Sequence, residues 1–227
     1  MIIYFKTILA IITIFLPQIL KKIIYRRLFK YQISSSSKIG FSYINVKMLI
    51  LCSDSYIGHM NIIKNLSLLH LDDKSIIGNL NWITGFPQDS KSIHFSHQTD
   101  RNPSLYIGKH SSVTNRHLID CTNTVTFGSF STLGGFRSQI LSHSIDFEQC
   151  RQSSSPVYIS DYCFIGSGSI LLPGCKIPNY SIVGAGSVIT KDLKHEYTLY
   201  CGSPAKPVKQ LDIYKYKYFT RKNGFVI

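Results

Sequence analysis

Ile159, Ile165, Leu171, Ile177, Val183 and Ile189 recur at intervals of six, and all are aliphatic. The residue four places after each of the first five is small: Cys163, Ser169, Cys175, Ser181 and Ser187. A period of six fits neither an amphipathic helix nor an alternating strand. It is the hexapeptide signature of a β-helix. Each unit is one short strand plus a corner, with the aliphatic pointing into a narrow prism and the small residue fitting where the wall leaves little room. Gly166 and Gly184 follow two of the aliphatics, at corners where permissive dihedrals are expected. Three units close a coil of about eighteen residues, and each coil covers the next. A sandwich of ordinary strands gives no reason for small residues locked to a six-residue period.

The same period runs upstream with slips. Ile107, Val113 and Ile119 keep it, then the frame moves two residues to Phe127 and Leu133. Ile57 and Ile63 keep it, and another two-residue slip leads to Ile77 and Ile83; Ile39 and Leu51 lie in register with Ile57. Coils are expected from about residue 38 to 192, interrupted by a loop at 141–156. The organisation read from this is an apolar and basic helical segment at 1–37, a β-helix domain at 38–206 and a basic aromatic tail at 207–227.

Lys+Arg 25 against Asp+Glu 12 gives a net charge of +13, which favours anionic partners. No helix-turn-helix, RNA-binding or zinc motif accompanies it, so nucleic acid is not expected. Residues 1–53 carry no acidic residue. Their opening run, MIIYFKTILAIITIFLPQ, is apolar but too short to span a bilayer, and it lacks a signal-peptide cleavage site. QILKKIIYRRLFKY sets aliphatics near helical spacing with basic residues between. Two readings follow: an interfacial helix on an anionic membrane, with residues 1–31 as the contact, or a cap on the end of the solenoid. The tail IYKYKYFTRKNGFVI reads as a cover for the last coil or a second membrane contact. Six cysteines include no CxxC pair, and Cys163 and Cys175 fall at the small interior position. A reducing cytoplasm, at or near the inner face of the membrane, is the simplest compartment.

A regular prism has little chemistry of its own, so function is expected where the repeat breaks. The break begins ILSHSID. There His143 stands between Ser142 and Ser144, and a neutral imidazole can take a proton from a hydroxyl or amine. Its other nitrogen needs an orienting partner: Asp146, a backbone carbonyl or a residue of a neighbouring coil.

ILSHSID, PVYISDYCFIGSGSILLPGCKIPNYSIVGAGSVITKD and CGSPAKPVK together resemble the hexapeptide-repeat acyltransferases, over roughly residues 107–209. The likeness is to the galactoside and maltose acetyltransferase type and, through IGNLNWITGFP and residues 114–146, to the branch that O-acetylates O-antigen and capsular polysaccharides. The resemblance implies an all-β, left-handed parallel β-helix with an N-terminal helical segment, assembled as a homotrimer with active sites between subunits. It implies acetyl-CoA as donor, no metal, and His143 as general base for direct transfer to a sugar hydroxyl of a polysaccharide precursor; the basic, apolar N-terminus points to a lipid-linked one.

By the same resemblance Ser167 faces the pantetheine arm and Ala185 lets it lie against the backbone. Thr190 and Lys191 match positions at the adenine-nucleotide end, and Pro204 and Lys206 form the element near the CoA phosphates. Arg116, His117, Asp120 and Asn123 are candidates for the acceptor side, and Arg137 is a further phosphate contact or a solvated corner. Departures are Ser203 where the family often has asparagine, Phe164 where tryptophan is common, and a slightly longer 192–202 stretch. One histidine base serves O- and N-transfer alike, so N-acetylation of an amino or nucleotide sugar stands as the alternative. A membrane-bound scaffold would explain the charge but not His143. A zinc-dependent carbonic anhydrase on the same fold would need three histidines at one metal, and the VITKD…SPAKP end ties the chain to transferases instead.

Overall fold

The structure, a computed structural model, describes residues 2–224 and Val226, with side chains from Phe5 onward. Its strands stack as three sheets, two of seven strands and one of nine, parallel except for an antiparallel last pair in the nine-stranded one, that form the faces of a triangular prism. Each face carries a continuous column of inward apolar residues, one per coil. On the first face these are Ile33, Leu51, Leu71, Ile107, Phe127, Ile159 and Ile177. On the second they are Ile39, Ile57, Ile77, Val113, Leu133, Ile165 and Val183. On the third they are Ile44, Ile63, Ile83, Ile119, Ile140, Leu171 and Ile189. All are buried. The expected columns therefore hold, frame slips included. The stack begins earlier than residue 38: Ile33, six residues before Ile39, already lies beneath Leu51.

The small residues line the inside of the corners. Ser55, Ser75, Ser111, Ser131, Cys163 and Ser181 follow the first face, and Asn61, Asn81, His117, Ser138, Ser169 and Ser187 follow the second, all buried. They satisfy backbone groups that the turns leave unpaired. On the second edge the chain of bonds is continuous: Asn81 N–H donates to Asn61 Oδ1 at 2.9 Å, His117 N–H to Asn81 Oδ1 at 2.9 Å, and Ser138 N–H to His117 Nδ1 at 3.2 Å.

The glycine reading is corrected. Neither Gly166 nor Gly184 has positive φ; a Cβ on Gly166 would come within 2.6 Å of Ala185 N in the next coil. Their role is close approach between coils. Many left-handed corners are taken instead by ordinary residues, such as Asp54, Lys74, Arg116, Tyr162 and Tyr180, with φ between 55° and 57°.

At the base, α1 (Ile2–Ile14) and α2 (Gln18–Arg27) close the prism. Gln18 bonds both the N–H and the C=O of Ile39, as a neighbouring strand would. Lys21 is buried and donates from Nζ to the carbonyls of Gly40, at 2.7 Å, Ile14 and Ile39; burial lowers its pKa to about 8. Tyr25, Phe29 and Tyr31 fill the open end of the core. The helices thus cap an edge that would otherwise stay unpaired. Their outer side leaves Phe5, Ile8, Ile12, Phe15 and Ile19 exposed. Among the described residues no helix is long and apolar enough to cross a membrane.

The tail covers the last coil at its start and then leaves it. The last coil is covered by an antiparallel hairpin of Thr198–Cys201 with Lys206–Gln210. The following residues run back along the first edge, where His110, Phe130, Tyr162, Tyr180 and Tyr197 stack ring on ring at 4.6–5.3 Å. Phe219 meets Tyr180 and Tyr197 edge-on, and Arg221 lies 3.7 Å over the Tyr218 ring.

Two segments leave the coil. The break at 141–156 is an antiparallel hairpin, His143–Asp146 with Arg151–Ser154. The second excursion, residues 85–103, joins Trp82–Thr84 to Ser104–Ile107. It spaces Ile83 from Ile107, the largest gap in the periodic pattern, and its GFPQDSKSIHFSHQTDRNP is not periodic.

Candidate active site

His143 is the first residue of the hairpin, at the third edge, where the chain turns from the third face to the first. Its orienting partner is Asp120, one coil below: the imidazole Nδ1 lies 2.6 Å from Asp120 Oδ2. Asp120 is buried and fully engaged. Oδ2 also accepts from Ser142 N–H at 2.8 Å, Ser142 Oγ at 3.0 Å and His143 N–H at 3.0 Å. Oδ1 accepts from Thr122 N–H at 3.0 Å and Thr122 Oγ1 at 2.6 Å. Burial opposes the carboxylate charge, but the hydrogen bonds from His143 and Thr122, the imidazolium and the Ser142 N–H together hold the Asp120 pKa below its ordinary value. In turn, the Asp120 hydrogen bond raises the His143 pKa against the opposing effect of burial.

An ionised Asp120 can only accept, so Nδ1 carries the proton and the Nε2 lone pair is free for chemistry. The imidazole is 42% exposed, enough for a substrate to reach it. It lies on a cavity of about 280 Å³ shared with Thr84, Phe86, His94, Phe95, Thr122 and Gln152. The Phe95 ring stands edge-to-face to the imidazole at 6.1 Å. An imidazole oriented by a buried carboxylate and open on its second nitrogen can accept a proton there.

The other nominated residues divide between two edges. Asp120 is the orienting partner of His143, in place of Asp146, which stands 3.9 Å from Arg151 on the hairpin, and it also lines the cavity at His143. Asn123 secures the hairpin: its N–H donates to Ser142 Oγ at 2.8 Å and its Nδ2 to Ser154 Oγ at 3.2 Å. Arg116 and His117 lie on the second edge, across the third face from His143. His117 occupies the small interior column, four after Val113, and is 2% exposed. Its Nδ1 accepts from Ser138, so Nε2–H donates to Thr114 Oγ1, at 2.9 Å. Burial lowers its pKa to about 4, so it stays neutral. Both nitrogens are spent, and no acceptor can reach them. Arg116 is an exposed corner, with Arg137 directly above it: Arg137 N–H donates to Arg116 O at 3.0 Å.

Ser167 and Ala185 lie higher on this second edge, in consecutive coils; Gly186 N–H donates to Ser167 O at 2.9 Å. Pro204 and Lys206 flank Ala205, whose N–H donates to Val188 O at 2.8 Å, so they join the same edge at the top. Thr190 and Lys191 follow Ile189 on the third edge, the edge of His143. Ala185, Thr190, Lys191, Pro204 and Lys206 are exposed. Within one chain the expected donor residues thus fall into two groups separated by the third face. Sequence reasoning missed His94, Phe95, Gln98, Arg101 and Gln152. The signal for the first four was the length of the aperiodic stretch after Ile83.

The six repeats of the bacterial transferase hexapeptide model match residues 156–191. A putative acetyltransferase of Schizosaccharomyces pombe is 41% identical over 73 residues, 31% of this chain and 35% of that protein. A putative acetyltransferase of Staphylococcus aureus strain COL is 30% identical over 128 residues, 55% of this chain and 64% of that one. The chain thus spans between about a third and just under two thirds of the curated relatives it matches. Among solved structures, a polysialic acid O-acetyltransferase superposes with TM-score 0.57 at 18% identity, covering 79% of this chain and 84% of that one. A hexapeptide-repeat acetyltransferase of Vibrio cholerae complexed with acetyl-CoA does so with TM-score 0.51 at 21% identity, covering 63% and 71%. These likenesses define the class: a left-handed parallel β-helix of hexapeptide repeats. Within that class the chain resembles the hexapeptide-repeat acyltransferases, as ILSHSID and the VITKD…SPAKP end imply.

Proposed function

We propose that this chain is an acetyl-CoA-dependent acetyltransferase that acts on a sugar hydroxyl of a surface-polysaccharide precursor. The observation that carries the reading is the His143–Asp120 pair, with its second nitrogen open to a cavity at the one edge where the hexapeptide stack is broken by a hairpin. His143 Nε2 takes the proton as the acceptor oxygen attacks the thioester carbonyl. Asp120 steadies the imidazolium that forms, and that imidazolium returns the proton to the departing thiolate. No covalent enzyme intermediate is needed. An amine acceptor would use the same base, so N-acetylation of an amino or nucleotide sugar is the second reading.

Ser167, Ala185, Pro204 and Lys206 are the residues that would hold acetyl-CoA along the second edge, with Thr190 and Lys191 at its nucleotide end. The small, exposed Ala185 fits a backbone ledge for the pantetheine arm, and Lys206 supplies a cation for phosphate. Because the third face separates most of this set from His143, the full site is formed where the second edge of one copy meets the third edge of another. A closed homotrimer satisfies that geometry without an open filament. The exposed apolar side of α1 and α2, flanked by Lys22, Arg26 and Arg27 and free of acidic residues, suits peripheral contact with an anionic membrane at its cytoplasmic face, where lipid-linked precursors would sit.

The test is equilibrium binding of acetyl-CoA to wild type and His143→Ala, with the oligomeric state measured alongside. Saturable binding by both trimers, with turnover only in wild type, is the expected result. A folded wild-type protein that does not bind acetyl-CoA overturns the reading. Because α2 closes the core, the membrane contact is tested with Phe5, Ile8, Ile12 and Phe15 changed to serine rather than by removing residues 1–31. Unchanged binding to phosphatidylglycerol vesicles would reject it.

A further inference from the structure

The first face carries a group of side chains that the transfer chemistry does not use. Strand Leu68–Leu71 buries Leu69 and Leu71 in the core, so His70 stands outward. Asp72, two residues on, stands on the same side. In the coil below, Leu51 is the register partner of Leu71, so Cys52 occupies the step beneath Asp72. The backbone fixes both levels: Cys52 N–H donates to Leu71 O and Asp72 N–H to Ile107 O, each at 2.9 Å. Neighbouring coils lie roughly 4.7–4.9 Å apart. Two of them thus bring a thiol, an imidazole and a carboxylate to one spot, all three half-buried.

The separations are those of ligands around one ion. Cys52 Sγ lies 3.6 Å from His70 Nε2. A sulfur about 2.3 Å and a nitrogen about 2.0–2.1 Å from a tetrahedral zinc stand about 3.5 Å from each other. A carboxylate oxygen of Asp72 completes the triangle, with all three donor atoms within 4.8 Å of one another. Among the described residues no other three His, Cys, Asp or Glu side chains meet in this way. Outer contacts steady the ligands. Asp72 Oδ1 accepts from Asp73 N–H at 2.7 Å, and Asp73 Oδ1 accepts from Ser53 N–H at 3.0 Å, which ties the two levels together. The Tyr106 ring, one coil above, lies 6.0 Å from the imidazole.

A thiol–imidazole hydrogen bond accounts for the first contact but not for the carboxylate beside it. Burial and the carboxylates of Asp72 and Asp73 raise the Cys52 pKa, so without a cation the group holds a thiol. A divalent ion reverses that balance: it takes the place of the thiol proton, and one thiolate and one carboxylate match its charge. Thiolate and imidazole select zinc over magnesium and calcium, which take oxygen ligands.

We propose that Cys52, His70 and Asp72 are the protein ligands of one zinc ion, with water in the fourth position, and that this ion clasps two coils of the first face. It stands apart from His143, which leaves a later coil at the third edge, so transfer does not pass through it.

The test uses the untagged full-length chain, stripped of metal with a chelator and kept in a phosphine reductant. Zinc titrated against a metallochromic competitor should fill one site per chain, and excess magnesium or calcium should not compete. Cys52→Ser, His70→Gln and Asp72→Asn should each weaken zinc binding by about tenfold or more, and Cys150→Ser should not. Cobalt(II) gives a readout specific to sulfur: a thiolate-to-cobalt charge-transfer band, kept in Cys150→Ser and lost in Cys52→Ser. Zinc should raise Tm in wild type and not in Cys52→Ser. On wild type alone, zinc should slow alkylation of Cys52 by N-ethylmaleimide by about tenfold or more and leave Cys150 unchanged, read by peptide mass spectrometry. That measurement decides the matter if a variant fails to fold. No zinc site, zinc affinity and cobalt band unmoved by the three substitutions, or unprotected Cys52 overturns the proposal. An unmoved Tm overturns the clasp. Acetyl-CoA affinity should be the same with and without zinc; a change would overturn the separation from the transfer site.

Discussion

The second and third edges of this prism each carry a histidine, and the same coil geometry puts them to opposite uses. His117 points into the second edge, where Asn81, Ser138 and Thr114 take up its backbone and both ring nitrogens and burial keeps it neutral. His143 points out of the third edge, where Asp120 holds one nitrogen and raises its pKa while the other faces a cavity. Residue type decides neither fate. The difference is a carboxylate one coil below and a hairpin that leaves the wall at that point. A histidine in the repeating column becomes a spacer, and one at the break keeps a ring nitrogen open to a cavity.

The comparison can be broken most sharply at His143. His143→Ala should lower turnover by about 10³–10⁴-fold while acetyl-CoA binding and Tm stay near wild type. A loss of less than about tenfold would mean that the third edge is no more catalytic than the second. Next in size is Asp120→Asn, expected to cost on the order of 10²-fold through lost orientation of the imidazole. It also carries a pH signature. Turnover needs neutral His143, so in wild type kcat/KM should fall as pH drops through a value above the ordinary 6.5. Removing the carboxylate takes away the interaction that raises it, so the acid limb should move to lower pH. An unmoved limb would show that Asp120 does not set this titration.

His117→Ala should show the reverse pattern. It leaves the Ser138 N–H and Thr114 hydroxyl short of a buried partner and opens a void, so a loss of about 2–3 kcal/mol is expected in denaturant titration. The pH profile of turnover should stay where it is. The smallest effect belongs to Arg116→Ala. An exposed corner away from His143 should change stability by less than about 0.5 kcal/mol and leave acceptor KM untouched. A rise in acceptor KM would show that the second edge a neighbouring copy brings to this site touches the acceptor through Arg116 as well as holding the cofactor.

Much of this is legible in the amino-acid sequence. The six-residue period fixes which side chains point inward, because in a β-helix inward direction and sequence register are the same thing; Ile159 to Ile189 read off directly, and even the slips near Phe127 and Ile77 survived. The place of His117 was legible too, as the fourth residue after Val113, but its residue type suggested chemistry where its column said packing. The partner of His143 was not legible. Asp120 lies far away in sequence, and only the rise of one coil per turn, lengthened by a corner slip, brings it beneath the imidazole. Asp146 is nearer along the chain, but the antiparallel hairpin sets it opposite Arg151.

Local periodicity and burial set the prism, its inward columns and the break at which to look for chemistry. What stands at that break follows from the stacking of distant coils. How an imidazole is oriented depends on which carboxylate the next coil supplies, and the shape of the wall facing His143 depends on Gln98 meeting Ser154 across two insertions. Such contacts join residues whose separation no repeat encodes, so they appear only once the coils are stacked.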